Sequence, residues 1–138
     1  MQSEIDGDSQ TVLVVDDYEA VLAMVSDFLQ AQGFSVLAAS NGSEANQVAE
    51  SHAGEIDLLL IEERLPDANG VAVSEQLKLR RPRMAVIVMS ATLNEAGYQK
   101  RIAKLQAHFL WKPFTNGELL DKLNEVIGQR KKGMAGSP

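Results

Sequence analysis

The sequence predicts an α/β protein, a doubly wound five-stranded parallel sheet wrapped by five helices. Apolar runs of strand length alternate five times with segments of helical period, the pattern left by a parallel sheet that helices cover. The first and third runs, Val12-Leu13-Val14-Val15 and Leu58-Leu59-Leu60-Ile61, are almost unbroken in apolarity, as strands buried on both faces must be. At 138 residues the chain is sized for one domain with one core.

The elements follow in order. The first strand runs over 11–15 and stops at Asp16. Across 18–32, Val21, Leu22, Val25, Phe28 and Leu29 recur at helical spacing, and Gly33 supplies a left-handed stop. Residues 34–38 read as a second strand, Asn41-Gly42 as a turn, and 43–52 as a short helix capped by Ser43. The third strand covers 57–61, with Glu62 at its carboxyl end. A turn through Pro66 and Gly70 leads into a helix bearing Val71, Val73, Leu77 and Leu79, and a fourth strand over 84–89 ends at Ser90. A more polar helix spans 92–105, and a short fifth strand over 108–111 stops at Lys112-Pro113. Thr115 is placed to cap the last helix, whose buried stripe is Leu119, Leu120, Leu123, Val126 and Ile127. The domain is therefore bounded at 11–128, between a disordered N-terminal segment over 1–10 and a flexible tail over 129–138.

Composition narrows the function. With 45% hydrophobic and 23% charged residues the chain is an ordinary globular protein. A net charge of -6 argues against direct nucleic-acid binding, which depends on cationic side chains displacing phosphate counterions. The lack of cysteine excludes disulfides and thiolate metal sites and fits a cytoplasmic location. Neither a secretory signal nor a membrane span is expected, because no apolar run approaches bilayer length.

Open doubly wound sheets bind ligands outside the carboxyl ends of their strands. At those ends this sequence puts Asp16 and Asp17, Glu62, Ser90 and Lys112. Three carboxylates, a hydroxyl and an ammonium on one edge call for a hard cation or a phosphoryl group to complete the charge balance. The outline is that of a magnesium and phosphoryl site.

Four motifs then carry a family resemblance: Val14-Val15-Asp16-Asp17, the segment from Asp57 through Glu62-Glu63-Arg64-Leu65-Pro66 to Gly70, Ser90-Ala91, and Lys112-Pro113-Phe114. In this order they resemble the motifs of bacterial response-regulator receiver domains, the switch modules of two-component signalling, over roughly residues 11 to 128. The resemblance implies a flavodoxin-like strand order of 2-1-3-4-5. It makes Asp17 a direct magnesium ligand, Asp16 a second acid acting mainly through water, and the backbone carbonyl of Arg64 a further ligand. Ser90 matches the hydroxyl that bonds the phosphoryl group, Lys112 the cation that pairs with it, and Phe109 an aromatic switch.

The departure is at the acceptor, an aspartate in the family four residues before the proline. Counting back from Pro66 gives Glu62. Asp57 starts its strand, about four rises of roughly 3.3 Å from the functional end, and Glu63 points to the other side if the strand stays extended. The extra methylene of Glu62 moves its carboxylate out by about 1.5 Å, and a misplacement of about 1 Å can cost a positioned reaction on the order of a hundredfold. The longer carboxylate also reaches toward the space of a phosphoryl group, near Lys112 and Ser90, and so imitates the activated state in part.

The reading expected is a receiver-like protein-interaction switch that works without regular phosphorylation. Its rival is a working phosphoacceptor, with Glu62 taking a phosphoryl group from a histidine kinase and the domain catalysing no more than its own transfer and hydrolysis. A third reading, a flavodoxin-like cofactor binder, lacks the Gly/Ser/Thr-rich phosphate loop after the first strand. The family implies a sensor histidine kinase or phosphotransfer protein upstream and an effector protein or domain downstream. It also implies a docking or homodimer surface on the fourth helix, fifth strand and fifth helix, where Lys100, Arg101 and Lys104 are otherwise a solvated face. Arg64 is either a cation that pairs with Glu62 or competes with magnesium, or a solvated loop residue. His52 and His108 stand alone as structural residues, and Trp111 is a packing residue on the same strand side as Phe109.

Overall fold

The computed structural model describes residues 10–92 and 96–135, with side chains described for 10–92 and 98–130. Five parallel strands form one sheet in the order β2-β1-β3-β4-β5. They are β1 (Thr11–Val15), β2 (Ser35–Ala39), β3 (Leu58–Glu62), β4 (Ala85–Ser90) and β5 (His108–Trp111). The helices between and after them are α1 (Glu19–Ala31), α2 (Gly42–Ser51), α3 (Gly70–Arg80), α4 (Ala96–Leu105) and α5 (Asn116–Ala135).

Strand alternation divides the interior into two cores. On one face Leu13, Val15, Leu59, Ile61, Val86 and Val88 pack against α2, α3 and α4 through Ala45, Ala49, Val71, Leu77 and Leu105. On the other, Val12, Val14, Leu58, Leu60, Ile87 and Met89 meet α1 and α5 through Val25, Leu29, Leu119 and Leu123. Each fully buried aliphatic side chain in these layers contributes about 1.5–3 kcal/mol. The apolar first and third runs are the central pair, β1 and β3, joined in parallel from Val12↔Leu58 to Val15↔Ile61.

Helix ends explain where the observed elements depart from the expected ones. Gly33 closes α1 at φ 100°, the left-handed stop expected of it. The cap of α2 is Asn41 rather than Ser43: its side chain accepts from Glu44 N at 2.8 Å, while the Asp67 carboxylate takes the N–H groups of Gly42 and Ser43 at 2.8 and 2.9 Å. The helix therefore begins at Gly42, inside the expected turn. Thr115 caps α5 in a reciprocal box, accepting from Glu118 N at 3.0 Å while Glu118 Oε1 accepts from Thr115 N at 2.8 Å. α4 begins at Ala96; Thr92 precedes it, and residues 93–95 lie outside the described ones.

α5 runs through Ala135, so residues 129–135 continue the helix where a flexible tail was expected. The physical reason is Arg130, whose Nε donates to Arg83 O at 2.8 Å and whose Nη1 pairs with Asp57 Oδ1 at 3.1 Å. Asp57 itself precedes β3, its carboxylate accepting from Thr11 N at 2.8 Å. It works at the amino edge of the sheet, far from the strand ends that concern function. Of the expected segment 1–10, residues 1–9 lie outside the described ones, and Gln10 is buried, its carbonyl accepting from Ser35 N at 3.0 Å.

Candidate functional site

The parallel ladder continues one residue past the strands and so fixes the backbone of the carboxyl edge. Asp16 N donates to Ala39 O at 3.1 Å, Glu63 N to Met89 O at 2.8 Å, and Lys112 N to Ser90 O at 3.0 Å. Side chains at these positions start from backbone that a neighbouring strand holds in place. That rigidity is what a positioned constellation needs.

Asp16, Glu62 and Lys112 meet. The Lys112 ammonium donates to Asp16 Oδ2 at 2.7 Å and to Glu62 Oε1 at 2.6 Å. The remaining carboxyl oxygens are also used, Asp16 Oδ1 accepting from Tyr18 N and Glu62 Oε2 from Arg64 N, both at 2.9 Å. Asp16 is wholly buried, and the side chains of Glu62 and Lys112 are 11% and 20% exposed. Charges so withdrawn from water attract strongly and would be costly apart. Burial alone would lower the lysine pKa, but the hydrogen bonds to Asp16 and Glu62 outweigh it and hold the ammonium above its ordinary value.

Ser90 is not part of that cluster. Its hydroxyl donates to Glu63 Oε1 at 2.7 Å and accepts from Thr92 N at 3.0 Å. Glu63 is 4% exposed and Ser90 1%. The register accounts for this pairing: Glu62 stands beside Met89, so the next residues, Glu63 and Ser90, stand beside each other with the alternate orientation. Strand alternation foresaw that Glu63 turns away from Glu62; that it receives the Ser90 hydroxyl was missed. Knowledge of the β3–β4 register would have revealed it.

The other expected residues lie around this cluster's strands and loops as follows. Asp17 is exposed and has no hydrogen bond or ion pair to a described residue. Arg64 is exposed too, and it reaches Glu62 through its backbone N–H rather than its guanidinium. Phe109 is half-buried against the core, with the Trp111 ring edge-on at 4.6 Å. Trp111, expected to be packing, is 55% exposed. His108 is partly buried, and that burial lowers its pKa against the attraction of Glu125. On α4, Arg101 is committed to Glu75 through two hydrogen bonds of 2.9 and 2.7 Å and lies over the Tyr98 ring.

The donor types suit magnesium, which prefers oxygen, but their arrangement does not make a ready cage. Among the described residues no three His, Cys, Asp or Glu side chains form a group able to hold a metal ion. Asp16 and Glu62 share an ammonium instead, and Asp17 has no hydrogen bond to either of them or to Lys112.

Against known proteins, a family model described as the response regulator receiver domain matches residues 12–124. The chain is 34% identical over 125 residues to the autoinducer 1 sensor kinase/phosphatase LuxN of Vibrio harveyi, covering 91% of this chain and 14% of that one. It is 31% identical over 125 residues to the probable transcriptional regulatory protein TcrX of Mycobacterium tuberculosis, covering 88% and 51%. The chain thus spans about half or less of these relatives' lengths. Among solved structures, a CheY-like receiver domain protein of Methanospirillum hungatei superposes with a TM-score of 0.82 at 25% identity, over 90% of this chain and 98% of that one. The receiver domain of the hybrid histidine kinase CckA does so with 0.70 at 28% identity, over 84% and 97%. Among the described residues no helix is long and apolar enough to cross a membrane.

Proposed function

The chain belongs to the response-regulator receiver domain family, and from that premise we propose that it is a two-component receiver in which Glu62 replaces the phosphoaccepting aspartate and which acts as a protein-interaction switch without regular phosphorylation. The observation behind this reading is the 2.6 Å hydrogen bond from Lys112 Nζ to Glu62 Oε1. A lysine that would meet an incoming phosphoryl group is already paired with the side chain that would have to accept it. The carboxylate supplies one charge and two oxygens where a phosphoryl group supplies about two charges and three acceptors, so the imitation of the activated state is partial.

Magnesium, in this reading, has to compete with an ammonium for Asp16 and Glu62 and binds weakly, with Asp17 and the Arg64 carbonyl as further oxygens. Phe109 is assigned as the aromatic that follows the state of the site. The implied partners are a histidine kinase or phosphotransfer protein, an effector, and a second copy or effector on α4, β5 and α5, where Trp111 is exposed. A cytoplasmic location accompanies those partners.

The test is incubation with magnesium and acetyl phosphate followed by intact mass measurement, on the parent chain and on Glu62→Asp. The parent is expected to keep its mass and Glu62→Asp to gain one phosphoryl unit. A stable phosphoryl gain on Glu62 of the parent would overturn the proposal in favour of a glutamyl phosphate acceptor.

A further inference from the structure

A serine hydroxyl has one proton to donate. In Ser90 that proton goes to Glu63 Oε1 at 2.7 Å, while the oxygen accepts from Thr92 N at 3.0 Å. Both side chains are buried, so solvent offers little alternative partner. The backbone of Glu63 is also held from two sides, its N–H donating to Met89 O at 2.8 Å and its carbonyl accepting from Gly70 N at 2.7 Å. The backbone that carries the acceptor is therefore held at the sheet, and the Ser90 hydroxyl is engaged by Glu63 and Thr92 together. Meanwhile Glu62 has both carboxyl oxygens engaged by Lys112 and Arg64 N, and Ser90 is not among its partners.

We propose that Glu63 is a positioning residue: its carboxyl group takes the single proton of Ser90 and holds the hydroxyl away from Glu62, so a phosphoryl group at residue 62 would have to compete for it. This deepens the reading above and rests on it only in naming residue 62 as the acceptor position. A hydroxyl committed to Glu63 withholds one hydrogen bond from the phosphorylated state. The Glu62–Lys112 pair and the Glu63–Ser90 pair then restrain the switch independently, through different side chains of adjacent residues.

The experiment uses the full chain, isotopically labelled, as parent, Glu63→Gln and Glu63→Met, each also combined with Glu62→Asp. Thr92 N–H donates to Ser90 Oγ, so its proton resonance reports the orientation of the hydroxyl without any phosphorylation. Methionine keeps the length and removes the acceptor, so Glu63→Met should displace the Thr92 resonance. Glu63→Gln, which keeps a neutral acceptor, should displace it less and in the same direction, and it serves alone if the methionine variant does not fold. In the Glu62→Asp background, Glu63→Met should speed labelling by acetyl phosphate on the order of tenfold, the worth of one ordinary hydrogen bond. A folded variant with the Thr92 resonance unmoved overturns the inference, as does labelling no faster than in Glu62→Asp alone. If no Glu62→Asp chain is labelled at all, the assignment of residue 62 fails instead, and Thr92 still decides whether Glu63 orients Ser90.

Discussion

A side-chain carbon at Gly70 would stand 2.1 Å from the carbonyl oxygen of Glu62 and 3.0 Å from its carbonyl carbon. Both atoms belong to the last residue of β3, a central strand, and cannot swing aside as a flexible side chain would. Gly70 N also donates to Glu63 O at 2.7 Å, so the first residue of α3 is pressed onto the floor of the site. Gly70→Ala is expected to lower stability by on the order of 3 kcal/mol, an overpacking cost against backbone. Urea denaturation measures it, and a variant as stable as the parent would contradict so close an approach.

Lys112→Met leaves Asp16 and Glu62 buried side by side without a cation. Removing one member of a buried charge cluster typically costs about 3–5 kcal/mol, because the remaining charge stays uncompensated. Adding Glu62→Gln to Lys112→Met should recover part of that loss, since one of the two orphaned carboxylates is gone. A double-mutant cycle by chemical denaturation gives the coupling. Strict additivity would show that Glu62 and Lys112 do not share an interaction in solution.

The same pair fixes a dependence on alkali. The folded pKa of Lys112 is raised above its ordinary value of 10.5, with burial opposing and the bonds to Asp16 and Glu62 favouring the charge. A raised pKa means that the folded state holds the proton more tightly, so this stabilisation is fully present below 10.5 and fades as pH rises through the higher folded value. The stability gap between parent and Lys112→Met should therefore stay level from neutral pH up to 10.5 and narrow only beyond it. Urea midpoints of the two chains across that range check it. A gap that closes below the ordinary lysine value reverses the sign.

What was legible in the sequence follows from how far each interaction reaches along the chain. β1 and β3 announced themselves because a strand covered on both faces must be apolar throughout, and the polar residues that end the strands marked the carboxyl edge. The Glu62–Lys112 contact joins two such strand ends and could be anticipated. The Glu63–Ser90 pair depends on the register of β3 against β4, in which Glu62 meets Met89. The apolar runs as read, 57–61 and 84–89, each ended one residue short and left that register open. The cap of α2 was misplaced for a related reason: Asn41 and Ser43 are both good caps, and Asp67, from a loop after β3, takes up the N–H of Ser43. Likewise the apolar stripe of α5 fades after Ile127, while Arg130, held by Arg83 and Asp57 at the amino edge, fastens the helix beyond it.

Asn69 connects the loop that holds Glu62 to α4. Its side-chain oxygen accepts from Val71 N at 2.8 Å and Ala72 N at 3.4 Å, capping α3, while its amide nitrogen donates to the Tyr98 hydroxyl. Its backbone bridges Arg64, whose N–H in turn donates to Glu62 Oε2 at 2.9 Å. Asn69→Ala removes the cap and the link to Tyr98 together, and should cost about 1–2 kcal/mol. Tyr98→Phe removes only the link and should cost less, with a coupling between the two of about 1 kcal/mol or below. Because the bridge to Arg64 lies on the same loop, the Arg64 amide resonance should move in Asn69→Ala and stay near its parent value in Tyr98→Phe. Equal displacement in both variants would place the control of Glu62 in α4 rather than in the cap of α3.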